Sequence, residues 1–551
     1  MDVVIIGGVA GGMSAAARLR RLDEHARITV IEKSGNVSFA NCGLPYHVGG
    51  VIAEREALLL QTPASLGARF RLDVRVRHEA VRIDRDRRVV VVRNLDTGTD
   101  EELGYDALVL SPGARPVRPP IPGIERALSL RTVEDTDALV DAVRDAKTAV
   151  VIGGGFIGLE MAENLVHRGL ATAVVEATAQ VMAPLDPEMV EPVHRRIRRA
   201  KVALHLGAAV TAIGPDDVTL STGERLPADL VVAAIGVRPE TGLAADAGLA
   251  LGPRGGIAID EQFRTSDPHI YAVGDAVEKR DGLDGSEALI PLANTANRQG
   301  RFVADVIARR PGTDRGVNGT AIVGVFGLQV AVTGWNEKRL RAAGRPYLAV
   351  HTHPGSHAGY YPGSNGMALK LLVDPETDRI LGAQGVGKSG VDKRIDVIAT
   401  AMAGGLTASD LADLELAYAP QFSSAKDPVN MLGYAAMNAR SGLTPTIQWH
   451  ELEAAMAAGA TLIDTRDPDE HRHGAIAGSV LIPVNELRDR LGEVPAGPIL
   501  VHCAVGIRGH TATRILRQRG WDDVRNLDGG YTTWAAGTGH HAHRSGTDEA
   551  S

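Results

Sequence analysis

An α/β fold built on two dinucleotide-binding units follows from three features of the sequence. A strand, a glycine-rich turn, a helix and a second strand succeed one another from the N-terminus, at 3–6, 7–12, 13–22 and 28–32. The same order returns from Ala149, with a turn at 153–158, a helix through Leu165 and a strand at 172–176. Each copy is closed by an apolar strand that ends in small residues, at 105–114 and at 229–239. Repeated βαβ units of this kind place parallel strands under helices, with the ligand at the carboxyl ends of the strands. Past Gly319 the pattern changes to strands at 321–325, 367–373 and 380–386 and helices at 391–403 and 408–414. A Pro- and Gly-containing stretch at 443–445 reads as a linker, and 446–535 forms a separate small α/β pattern. The polar residues 536–551 are expected to be a disordered tail.

Bulk composition narrows the function. The 551 residues exceed one hydrophobic core, and 44% hydrophobic with 23% charged residues is ordinary for globular chains. A net charge of −8, with no basic cluster interleaved with aromatics, argues against a nucleic-acid partner. No apolar run approaches a membrane span, and the chain opens directly on a strand, so the expected compartment is the cytosol. Only two cysteines are present, Cys42 and Cys503, which leaves neither a disulfide framework nor a cysteine-based metal site. The histidines His540, His541 and His543 stand in the polar tail without carboxylate or cysteine partners at fixed spacing, so no metal is expected.

The glycine motifs carry the cofactor chemistry. Gly153, Gly155 and Gly158 complete a G-x-G-x-x-G with Phe156 and Ile157 between them, where backbone N–H groups approach a pyrophosphate at a helix N-terminus. Glu176, at the end of the following strand, is placed to accept from a ribose 2′-hydroxyl. In the first copy, Gly7, Gly8, Ala10, Gly11 and Gly12 keep the loop while Val9 takes the middle glycine position. Glu32, followed by Lys33, falls at the ribose position there. Ser111 and Gly113 end the closing strand of the first copy, and Gly236 that of the second. A buried strand ending in Gly274-Asp275 can set a carboxylate on a ribityl hydroxyl.

The order of these four motifs resembles the flavoprotein disulfide reductases with two dinucleotide-binding domains, over roughly residues 1–440. The resemblance implies FAD on 1–115 with 245–318, NAD(P)H on 116–244, and an α+β dimerisation domain at 319–440. Within that group, Ser38-Phe39-Ala40-Asn41-Cys42-Gly43-Leu44-Pro45-Tyr46 holds one cysteine rather than a C-x-x-x-x-C pair. It looks like coenzyme A disulfide reductase and its single-cysteine relatives. A single thiol rests as a mixed disulfide or a sulfenic acid when oxidised. Pro45 suits a helix start, which would put Cys42 near a helix N-terminus and favour its thiolate. The first glycine loop lacks the histidine of the family's peroxidases, so peroxide chemistry is disfavoured. In place of the absent His–Glu acid the resemblance offers Tyr360, Tyr361 and Tyr418 as candidates, with Tyr418 the favoured proton donor and interface packing the competing role for each. The resemblance carries coenzyme A contacts onto Ser14, Arg18, Arg21, Ser38, Asn41, Arg71, Asn297 and Lys426, although a solvated basic face accounts equally for some of them.

Cys503 ends a strand and opens a loop, Cys503-Ala504-Val505-Gly506-Ile507-Arg508, before a helix. Inward N–H groups would make an anion nest with Arg508 adding charge, which suits a persulfide. With Asp464-Thr465-Arg466 upstream and Asp528-Gly529-Gly530 downstream, 446–535 resembles a single rhodanese domain, departing from it where Ala475 replaces a frequent histidine. The expectation is an NAD(P)H- and FAD-dependent homodimer, NADH preferred and NADPH possible. Its substrate would be coenzyme A persulfide, polysulfide or coenzyme A disulfide, and Cys503 would act as a sulfurtransferase. A water-forming NADH oxidase and a redox-sensing or sulfur-carrier flavoprotein are the rival readings.

Overall fold

A computed structural model describes residues 1–312 and 314–540. His541, His543 and the rest of the tail lie outside the described residues. Two compact units result: Met1–Val181 with Lys201–Gly319, and Met182–Ala200 with the chain from Thr320 onward. The segment Met182–Ala200, inside the 116–244 stretch, therefore groups with the second unit.

The first unit holds two parallel sheets. In the first, the strands run in space as Ile270–Ala272, Ala107–Leu110, Asp2–Ile6, Arg27–Ile31 and Asp73–Arg75. Val3, Ile5, Ala107 and Val109 pack on one face, and Val4, Ile6, Leu108 and Leu110 on the other, so both faces are core. That two-sided burial explains why these strands are continuous apolar runs rather than alternating ones. The second sheet orders Ala203–Leu206, Ala171–Glu176, Thr148–Ile152 and Leu230–Ala233, all parallel. A short antiparallel pair, Ala114–Pro116 with Val237–Pro239, links the closing strands of the two copies. The helix after the first glycine loop begins at Ala10, not at residue 13, because Met13 N–H already donates to Val9 O at 3.0 Å.

The second unit contains an antiparallel sheet and a parallel one. The antiparallel sheet orders Ala321–Val325, Leu328–Gly334, Ile380–Gly387, Met367–Val373 and Leu348–Thr352, backed by the helices Val391–Gly404 and Pro428–Arg440. The helix expected at 408–414 contracts to one 3₁₀ turn, Asp410–Asp413. Its carbonyls are taken instead by the Asn430 side chain, whose amide donates to Leu411 O and Leu414 O at 3.0 Å. Leu414 itself turns extended. The parallel sheet orders Thr446–Ile447, Val524–Leu527, Ile499–His502, Thr461–Asp464 and Val480–Leu481. Its last helix, Gly530–Thr538, runs past 535, so the tail as drawn from the sequence starts too early. Among the described residues no helix is long and apolar enough to cross a membrane.

Candidate functional site

The two glycine loops are built alike. Gly7 and Gly153 both have left-handed backbones, with φ of 102° and 107°. A Cβ on Gly12 would stand 1.9 Å from Gly7 O, and one on Gly158 would stand 2.0 Å from Gly153 O. Only glycine allows the helix to close on its strand this tightly. The acids expected to meet the ribose also hold the loops. Glu32 Oε2 accepts from Gly8 N–H and Glu176 Oε2 from Gly154 N–H, each at 2.8 Å. The second oxygen of each accepts from the backbone two residues on, at Ser34 and Thr178. Gly155 and Ile157 are exposed at the second loop, whereas Phe156 is half-buried. Lys33 is tied to Glu79 at the surface.

Around the first loop, Ser111 N–H donates to Ile6 O at 2.7 Å, and Gly113 and Gly236 turn left-handed at the ends of the closing strands. Gly274 N–H donates to Gln299 Oε1 at 2.8 Å. Asp275 Oδ1 is buried without a hydrogen-bond partner, and Lys279 Nζ stands 3.7 Å away. Burial pushes this carboxyl up and brings Lys279 down to about 8. An orphaned buried acceptor beside a glycine cradle is what a hydroxyl-bearing dinucleotide chain would satisfy. Lys279 was not legible in the sequence, where it looks like half of a surface Lys-Arg pair.

Cys42 lies in the 3₁₀ turn Asn41–Gly43, open to solvent on one side. The helix Leu44–Val48 does follow, but it spans only five residues. The thiol is pushed up rather than down, first by the protein packed around its other side, then by the carboxylates of Glu160 and Asp275. The expectation of a helix-stabilised thiolate therefore fails: one short turn has little dipole, and acids face the sulfur. Glu160 accepts from Tyr46 Oη at 3.1 Å and is itself raised by burial. Neither residue was singled out from sequence, although Tyr46 stands in the cysteine motif and Glu160 two residues after the last glycine of the second loop.

Ser14, Arg18 and Arg21 share one helix. Ser14 Oγ donates to Asn297 Oδ1 at 2.6 Å, which brings two of the expected coenzyme A contacts together. Arg18 pairs with Asp305 at 2.7 Å, so its charge is already offset, and Arg21 lies over the Phe70 ring at 4.8 Å. Ser38 and Arg71 have left-handed backbones, with φ of 46° and 47°, and Asn41 is exposed. Lys426 is exposed in the second unit. In that unit the Tyr360 and Tyr418 hydroxyls are 2.9 Å apart and both rings are exposed, while Tyr361 meets His357 edge-on at 5.7 Å. The hydrogen bond to Tyr418 raises Tyr360.

Cys503 is buried at the end of the strand Ile499–His502, and Gly506 N–H donates to its sulfur at 3.1 Å. Arg508 keeps an electrostatic interaction with Cys503, although its charge is shared with two acids. Its guanidinium binds Glu470 at 2.7 Å and Asp467 at 3.2 Å. Asp464 and Arg466 form a buried pair, and Arg466 lies 4.3 Å over the Tyr531 ring. Beside the cysteine, His502 has both ring nitrogens buried without hydrogen-bond partners, Nε2 standing 3.7 Å from Asp464, and burial brings it down to about 4. Arg466 also donates to Gly474 O at 2.7 Å, so the segment holding Ala475 keeps its place.

Comparison with known proteins matches three successive parts of the chain. Residues 1–300 match the pyridine nucleotide-disulphide oxidoreductases, 320–428 their dimerisation domain and 448–537 the rhodanese-like domain. The protein belongs to the pyridine nucleotide-disulphide oxidoreductase family and carries the FAD and NAD(H) cradles of that family. It is similar to the coenzyme A disulfide reductase of Staphylococcus epidermidis, at 33% identity over 79% of this chain and 99% of that one. The Staphylococcus aureus enzyme of the same name is 34% identical over 79% of this chain and 99% of its own. Among solved structures, reduced Bacillus anthracis CoADR-RHD is 48% identical, covers 98% of both chains and superposes with a TM-score of 0.96. A NAD-dependent persulfide reductase from A. fulgidus is 39% identical over 97% of this chain and 100% of that one, with a TM-score of 0.91. A water-forming NADH oxidase from Lactobacillus brevis is 26% identical, covering 80% of this chain and 99% of its own, with a TM-score of 0.77.

Proposed function

We propose that the protein uses NAD(P)H and FAD to reduce the sulfur–sulfur bond of coenzyme A persulfide, polysulfide or coenzyme A disulfide at Cys42, and that Cys503 carries sulfane sulfur. The observation that carries this reading is the distribution of the two cysteines, one beside the FAD cradle and one in a separate rhodanese-like loop. With no second thiol in the first unit, Cys42 must pair with a sulfur of the substrate.

Cys42 thiolate attacks the sulfur attached to coenzyme A, forming a Cys42–S–S–CoA link and releasing HS⁻ from a persulfide or the second thiol from a disulfide. The burial and the acidic neighbours that raise the thiol also make its thiolate a stronger nucleophile once formed. FAD held by the first glycine loop and Asp275 would supply the electron pair for reopening the link, replenished by hydride from NAD(P)H on the second loop. The Tyr418 hydroxyl, held by Tyr360, is the proposed donor of the proton to the departing coenzyme A thiolate. Ser14, Arg18, Arg21, Ser38, Asn41, Arg71, Asn297 and Lys426 are the proposed coenzyme A contacts. The protein works in the cytosol in this reading, and as a homodimer, which the match to a dimerisation domain supports. At Cys503, the thiolate takes the outer sulfur of a donor such as thiosulfate, releasing sulfite and leaving a persulfide.

The test is steady-state NADH oxidation with coenzyme A persulfide, coenzyme A disulfide and oxygen in turn. The expected order of kcat/KM places the persulfide first. Oxygen consumption that outpaces both sulfur acceptors would assign the protein to the NADH oxidases instead.

A further inference from the structure

A buried charged network inside the second unit ties the antiparallel sheet to the rhodanese-like domain. It is centred on His351, in the strand Leu348–Thr352. Asp528 accepts from His351 Nδ1 at 2.5 Å and from the His351 backbone N–H at 3.1 Å, and Gln448 Nε2 adds a third donor at 3.3 Å. On the other side of the ring, His351 Nε2 meets Glu188 Oε1 at 3.1 Å, and Trp449 Nε1 donates to the second oxygen of Glu188 at 3.2 Å. Lys370 completes the cluster, bound to Asp186, Glu188 and Glu337, with its ammonium held among the three carboxylates.

Asp528 is followed by two left-handed glycines, with φ of 65° and 61°. A Cβ on Gly529 would stand 2.8 Å from His351 Cβ, and one on Gly530 would stand 2.5 Å from Cys503 O. The turn is thus wedged between His351 and the cysteine. Just past it, Tyr531 N–H donates to Cys503 O at 2.8 Å and Thr532 N–H to Ala504 O at 2.9 Å. His353 Nε2 then meets Thr533 Oγ1 at 2.7 Å. Two histidines of one domain hold the segment of another whose amides anchor the sulfur-carrying loop.

We propose that His351 is a positioning residue for sulfur transfer at Cys503, acting through Asp528 and the double-glycine turn, so that the antiparallel domain completes the rhodanese-like site. This rests on Cys503 being the sulfur carrier. Burial alone would lower the His351 pKa, but Asp528 and Glu188 outweigh it and the Lys370 charge, raising it to about 9. His353, pushed down to about 3 by burial, stays neutral beside it. A raised histidine contributes fully below its unfolded value and loses its contribution as pH rises through its folded value. The anchor therefore holds at neutral pH and loosens through pH of about 9.

The experiment compares three variants of the full chain in sulfur transfer from thiosulfate to cyanide. In His351→Gln the amide reaches toward Glu188 and abandons Asp528, whereas in His351→Asn it stays near the Nδ1 position and keeps Asp528. The expected result is a fall in kcat of about tenfold to a hundredfold for His351→Gln, with little change in the thiosulfate KM and recovery in His351→Asn. Near-ultraviolet dichroism and NADH-dependent reduction should match the parent in both. The parent kcat should also decline as pH rises through about 9, and His351→Asn, with no such proton to lose, should not. Parent rates in His351→Gln, equal losses in both variants, or the same alkaline decline in His351→Asn would each overturn the proposal. Cys503→Ala separates the two readings: if it still transfers sulfur, the assignment of Cys503 falls and the positioning role with it. If it is silent while His351→Gln is normal, the positioning role alone falls.

Discussion

Cys42 and Cys503 are the same side chain placed in opposite surroundings. Cys42 sits in an exposed turn faced by Glu160 and Asp275, and its thiol is pushed up. Cys503 is buried at a strand end, with the Gly506 amide directed at its sulfur. An exposed sulfur beside a cofactor cradle can meet a large thiol substrate and exchange electrons. A buried sulfur under an amide can hold a persulfide anion but is built for a small donor. The difference supports the proposed division, reduction at one and carriage at the other, and that division can be broken by any variant that moves both activities together.

The largest effect is expected at Cys42. Cys42→Ser should lower NADH-dependent reduction of every sulfur acceptor by about a thousandfold or more, while the flavin spectrum and thiosulfate sulfurtransfer persist. Near-normal reduction would mean that the electrons leave by a route without a mixed disulfide. Cys503→Ala should do the reverse. Sulfurtransfer disappears and reduction of preformed coenzyme A persulfide is kept, with polysulfide reduction falling in between. Equal loss of all three in a folded, FAD-bound variant would place Cys503 inside the reductive cycle.

A third test acts on one cysteine only, through its electron supply. Glu176 holds the second glycine loop and, with no basic residue between it and Thr178, disfavours a 2′-phosphate. NADH should exceed NADPH by about tenfold in kcat/KM, equivalent to about 1.4 kcal/mol. Glu176→Gln should narrow that gap by improving NADPH and should leave sulfurtransfer untouched. A parent enzyme that prefers NADPH would show that another group sets the selectivity.

The fold was legible where the chain is locally consistent. Both βαβ units, the closing strands and the rhodanese-like loop follow from glycine spacing and apolar runs, because those signals sit within one supersecondary unit. What failed depends on groups distant in sequence. The 408–414 helix is overruled by the Asn430 side chain, and the Cys42 thiol by the protein packed around it and then by Glu160, more than a hundred residues away along the chain. Arg508 reads as a cation serving the loop alone until Glu470 and Asp467 are seen to share its charge. The same limit hid His351 and Lys370, which look like ordinary strand residues until Glu188 and Asp528 close around them. Strands Leu328–Gly334 and Leu348–Thr352 were not picked out either, since the first is interrupted by polar residues and the second carries His351 on its buried face.

The smallest effect concerns the field at Cys42, and its sign is fixed by the geometry. Burial is the first cause of the raised thiol and survives any charge change, whereas the Glu160 carboxylate is the second and is removable. Glu160→Gln keeps the side-chain length and can still meet the Tyr46 hydroxyl, but it withdraws a negative charge from the sulfur. The thiolate is then less disfavoured, so the midpoint of the pH–alkylation curve at Cys42 should move down while remaining above that of an unperturbed thiol. Because a lower pKa also weakens the nucleophile, attack on the sulfur–sulfur bond gains less than the thiolate fraction does. The measurement is the rate of iodoacetamide modification against pH in the Cys503→Ala background, so that one thiol reports. Cys503 in the Cys42→Ser background should show no change on adding Glu160→Gln. A midpoint that stays fixed or moves up would remove Glu160 from the electrostatics of Cys42 and leave burial and Asp275 as the causes.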